Sequence, residues 1–152
     1  MLLDAKFSFF DNWEIRTQTL GGKSDITFGE KDLVIEHQKH PITIIEALRL
    51  DGINTSKIED HIERFDKYDK VGLMFYVVLT YYEKTDGFYD TWAKYKDLVR
   101  NYNFVNTQLK SKGVIDELPN DWQRGNIKIA RSSHIRHNYD CNMYHIFVNF
   151  GS

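Results

Sequence analysis

The sequence predicts an α/β protein, a mixed central β-sheet flanked by helices, on three observations. Aromatic residues reach 14%, with nine Tyr and ten Phe, a composition suited to pleated, half-buried surfaces. Short apolar or alternating runs, the pattern of strands, are separated by two longer stretches with helical spacing. A strand–helix–strand unit over residues 42–82 calls for a right-handed crossover between two parallel neighbours.

The elements follow in order. Residues 1–10 are mixed and read as a strand edge or a short helix. Residues 13–20 alternate and are β-prone, and Gly21-Gly22 ends that strand. Residues 25–28 and 32–37 are two short strand candidates around Gly29-Glu30-Lys31. His40-Pro41 is a turn. Residues 42–50, apolar at 42, 44, 45, 48 and 50, form a central strand. Asp51-Gly52 breaks it, and Thr55 or Ser56 caps a helix whose inner face carries Ile58, His61, Ile62 and Phe65. Residues 73–82 are apolar or aromatic almost throughout, as expected of a strand buried on both faces. A second helix runs from Phe88 to about Tyr102, with its stripe at 88, 92, 95, 98, 99 and 102. Residues 109–121 read as a polar loop, and 126–134 and 143–150 as a terminal strand pair joined by the loop 136–142.

At 152 residues and 41% apolar content, the chain is expected to be a single domain, 1–152. Its core would span about 13–102, with a loop and the terminal pair in 103–152. A net charge of −2 is not that of a protein gripping nucleic acid with its whole surface. Lys110 and Lys112 read as a solvated end. The lone Cys141 excludes an internal disulfide and fits a reducing cytoplasm. Asp4 follows Met1-Leu2-Leu3 at once, so no secretory leader is expected. The longest apolar run, 71–82, is interrupted by Thr80 and too short for a bilayer. A cytoplasmic protein without membrane contact is the expectation.

Two segments speak of chemistry: Gly21-Gly22-Lys23-Ser24-Asp25-Ile26 and Ile44-Ile45-Glu46-Ala47-Leu48. Carboxylates on neighbouring strands suit a divalent cation, which takes oxygen ligands. A Glu inside an apolar strand is costly to bury unless a cation or hydrogen bonds compensate.

The order of three meandering strands, an Asp after a turn, a Glu on the third strand, a helix and a buried strand resembles the core of the PD-(D/E)XK, or restriction-endonuclease-like, nuclease superfamily. The resemblance covers roughly residues 13–82. It implies a Mg²⁺- or Mn²⁺-dependent hydrolysis of DNA phosphodiesters, with Asp25 and Glu46 as metal ligands and Asp32 or Glu14 as substitute or third ligand. Asp25 is favoured over Asp32 because it follows the Gly-Gly turn. In the family a lysine two residues beyond the Glu orients the attacking water, and here that position is Leu48. Arg49 would face the other side of a regular strand. Lys57, His61 or Lys67 on the following helix would have to take the lysine's part.

The resemblance further implies DNA as partner, a homodimer for cutting both strands, or a partner protein in a larger defence or mobile-element system. Because of Leu48, a catalytically inactive relative that binds nucleic acid or protein is the alternative. A third reading is an unrelated α+β interaction domain.

Other motifs are weaker. His134, His137, Cys141 and His145 are zinc-ligand types at an atypical spacing, better read as a polar loop and a strand-end histidine. Gly22-Lys23-Ser24 matches the end of a P-loop, but Thr17 stands where its first glycine belongs. Tyr76, Tyr81, Tyr82, Tyr89 and Tyr95 read as core rather than a base-stacking surface, and Trp13, Trp92 and Trp122 as core or interface anchors.

Overall fold

A computed structural model describes residues 12–17, 33–69, 71–105 and 108–151. Their seven strands form one mixed sheet: β1 (Trp13–Thr17), β2 (Leu33–His37), β3 (His40–Leu50), β4 (Phe75–Tyr82), β5 (Leu109–Glu117), β6 (Ile127–Arg136) and β7 (Tyr139–Asn149). The spatial order is β1-β2-β3-β4-β7-β6-β5. β1, β2 and β3 are an antiparallel meander, and β3, β4 and β7 run parallel. β7, β6 and β5 are again antiparallel. Helix α1 (Thr55–Tyr68) links β3 to β4, and α2 (Phe88–Asn101) follows β4. The mixed sheet with its helices is the predicted fold class.

Both helices lie on one face of the sheet. Inner positions alternate with period two: Ile44, Glu46, Leu48 and Leu50 on β3, and Tyr76, Val78, Thr80 and Tyr82 on β4. Cys141, Met143, His145 and Phe147 continue this face on β7. Under α1 they pack with Ile62 and Phe65 and, toward α2, with Trp92, Tyr95 and Val99. Asn54 caps α1, its side chain accepting from the Lys57 N–H at 3.1 Å, so the cap lies one residue before the predicted Thr55 and two before Ser56.

Three stretches differ from the sequence reading. The turn expected at His40-Pro41 falls on Gln38-Lys39, both at positive φ, and His40 and Pro41 open β3. Residues 109–117 are a strand, not a loop. A bulge between Ser111 and Val114 breaks the alternation on which a strand is recognised, and a short 3₁₀ turn, Asn120–Trp122, follows. The expected loop 136–142 is a tight hairpin, with Arg136 opposite Tyr139 and His137 at φ +54°. The terminal strands therefore belong to the sheet, and β7 lies inside it beside β4, the central strand. The expected strand at 25–28 lies outside the described residues. No described helix is long and apolar enough to cross a membrane.

Candidate functional site

Glu46 occupies the middle of β3, on the face that meets the helices. It is 0% exposed, between Ile44 and Leu48. From α1, the Arg64 guanidinium reaches to 3.7 Å from Glu46 Oε2 and holds Asp60 at 2.6 Å. Burial works against the Arg64 charge, but the Asp60 hydrogen bond and the fields of Asp60 and Glu46 outweigh it, so its pKa is raised.

Leu48 is fully buried in the apolar cluster of Leu50, Ile58, Trp92 and Phe147. Arg49, on the opposite face, donates to Glu83 at 2.8 Å. Lys57 donates through Nζ to the Arg49 carbonyl at 2.9 Å, at the C-terminal end of β3. His61 is buried on the inner face of α1, with Nδ1 2.7 Å from the Lys57 carbonyl. A carbonyl only accepts, so Nδ1 carries the proton and Nε2 is the ring's basic nitrogen. Lys67 is exposed in the last turn of α1.

Of the proposed carboxylates, Asp25 and Asp32 lie outside the described residues. The described pairing of β2 ends with Leu33 opposite Ile45, the neighbour of Glu46. Glu14 stands elsewhere. It pairs with Glu36, which pairs with Pro41, and Pro41 is five residues, roughly 17 Å of strand, from Glu46. Arg16 bridges Glu14 and Glu36 at 3.1 Å each. One ion cannot bind both Glu14 and Glu46, which corrects the use of Glu14 as a third ligand.

Among the described residues no group of three or more His, Cys, Asp or Glu is arranged to hold a metal ion. The described donor set thus gives Glu46 beside a guanidinium, which by itself falls short of a Mg²⁺ site. Of the acids that the resemblance names, Asp25 and Asp32 remain as the second ligand. The zinc-like set also separates: His137 is exposed in the β6–β7 turn, whereas His134, Cys141 and His145 point inward.

Those inward residues belong to a polar seam that the sequence reading missed. Tyr95 Oη lies 2.8 Å from His145 Nδ1, His145 Nε2 lies 2.7 Å from Ser132 Oγ, and Ser132 Oγ lies 2.6 Å from His134 Nε2. All four residues are at most 1% exposed. Glu46 and His145 flank Val78 on either side in the ladder, so the seam crosses the sheet between its two apolar clusters. Burial lowers the His134 pKa to about 4, and burial, then His134, lower that of His145 to about 3. Burial pushes the Cys141 thiol up to about 11, which leaves little thiolate near neutral pH. The period-two alternation of 130–136 and 141–147 was the signal that could have revealed the seam.

Comparison with family models, with curated proteins and with solved structures finds no significant match to this chain.

Proposed function

We propose that this chain is a nuclease-type domain of the PD-(D/E)XK kind, acting on DNA phosphodiesters with a divalent ion at Glu46. One observation carries the reading: a fully buried glutamate on the third strand of an antiparallel meander, followed by a helix and a parallel strand. That is the order on which the resemblance rests. A carboxylate is buried at such a position at a cost that a cation offsets.

When bound, Mg²⁺ or Mn²⁺ supplies charge neutralisation at the phosphate and a more acidic water. Glu46 would give one ligand oxygen and Asp25 or Asp32 the next. Asp32 comes first as substitute, since it precedes Leu33, whose described partner is the residue before Glu46. Lys57 and His61, one helical turn apart at the end of β3 and on the inner face of α1, are this chain's groups for holding phosphate and proton. A homodimer would bring two such sites to the two strands.

Two observations favour a second reading, the same scaffold binding nucleic acid or protein without turnover. Leu48 fills the core where the family carries its lysine, and Arg64 places a cationic group beside Glu46.

Incubation with plasmid DNA and Mg²⁺ or Mn²⁺ tests the first reading. Nicking is expected, abolished by chelator and by Glu46→Gln; Asp25→Asn and Asp32→Asn identify the partner acid. A saturating ion should also stabilise the fold by ~2–3 kcal/mol. Intact plasmid together with an unmoved Tm would leave the second reading and that of an unrelated α+β interaction domain.

A further inference from the structure

The seam's hydrogen-bond count carries a conclusion independent of any nuclease activity. Ser132 has one hydroxyl proton and stands between two imidazole Nε2 atoms, 2.6 Å and 2.7 Å away. With both rings neutral, one Nε2 donates to Oγ and the other accepts from it, so the chain closes in either of two senses. It ends at Tyr95, the central buried residue of α2, 2.8 Å from His145 Nδ1. At the other end, His134 Nδ1 is buried with no hydrogen-bond partner among the described residues. A first added proton puts a full charge where water does not reach. A second makes both Nε2 atoms donors toward one oxygen and drives the hydroxyl proton out of the chain.

We propose that the Tyr95–His145–Ser132–His134 chain is an acid-sensitive latch, holding α2 on the sheet only while both imidazoles are neutral. The surroundings supply little relief for a buried charge. Thr80 on β4 neighbours Tyr95, and Phe104 meets the His134 ring edge-on at 5.3 Å. Cys141 on β7 and Ser111 on β5 stand opposite His134 in the ladders. Arg136, two residues along β6, adds positive charge and is itself committed to Asp66 and Asp69. Glu46 on β3 stands across Val78, and His61 faces inward from α1. The lowered pKa values of the two histidines agree with this environment.

Acid titration followed by imidazole NMR and near-ultraviolet circular dichroism tests the latch, since Trp92 stacks on Tyr95 at 5.8 Å between ring centroids. The His134 and His145 signals should stay neutral down to about pH 5, and the tertiary signal should then vanish in one transition. The double variant His134→Gln/His145→Gln should move that transition down by about one pH unit or more. Titration of either ring near its ordinary value in the folded protein overturns the latch, as does an unmoved transition in the variant. Should the variant not fold, the wild type decides alone through the pH slope of its urea stability near pH 5. Uptake of about two protons on unfolding supports the latch, and uptake of about one or fewer overturns it.

Discussion

Asp69 shows how much one buried carboxylate can organise. Its side chain accepts from the N–H groups of Val71, Gly72 and Leu73 at 2.9, 2.8 and 2.5 Å and from the Tyr76 hydroxyl at 2.7 Å. Arg136 closes the cluster from β6. Burial alone would raise the Asp69 pKa, but the Tyr76 hydroxyl and the backbone donors hold it below its ordinary value. Asp69→Asn leaves the Arg136 charge short of its buried partner and should cost about 3–5 kcal/mol in urea unfolding. Leu48, at 0% exposure, belongs to the same scale: Leu48→Ala should cost about 2–5 kcal/mol. Glu46 and Leu48 were both legible as residues of one strand face, because the period of a strand is two. The Arg64 contact to Glu46 was not, because Arg64 lies outside the predicted inner stripe of α1 and reaches in by its long side chain.

At the scale of elements, β3, α1 and β4 could be read from sequence because propensity, periodicity and breakers agree there. Asp51-Gly52 stops the strand, Asn54 caps the helix, and the inner stripe of α1 is the predicted one. Asn54→Ala should remove about 1 kcal/mol, measurable as a lowered urea midpoint. β5 was illegible because Lys112-Gly113 sit in its bulge and its outward residues are polar. The β6–β7 turn was misread because a strong polar run, residues 136–142, continues the ladder through inward Arg136 and Cys141. Gly72 marks another contact that sequence does not announce. It has φ +81°, and a Cβ there would lie 2.6 Å from the Tyr139 hydroxyl. Gly72→Ala should therefore destabilise the α1–β4 turn through both backbone strain and a displaced Tyr139.

For the whole molecule, pH dependence separates into two windows. His134 and His145 refuse protons in the fold that the unfolded chain accepts, so stability falls as pH drops below about 6.5 toward their lowered values. At pH 5 each should have cost about 2 kcal/mol relative to neutral pH, readable in urea midpoints. Asp69 acts lower: its contribution is present above its ordinary value of 3.8 and is lost as pH falls through its depressed folded value. A stability profile flat from neutral pH to about pH 4 would show that the histidine window does not exist.

The place of β7 has a consequence for how the molecule comes into being. Residues 139–149 form an interior rung of the sheet, hydrogen-bonded to β4 on one side and β6 on the other. A ribosome emits β4 long before that rung, so the nascent protein carries an open, aromatic strand edge, Phe75–Tyr82, until residues 139–149 have been made. Closure arrives last and at once, and a message cut short before codon 139 would yield two half-sheets with nothing to join them.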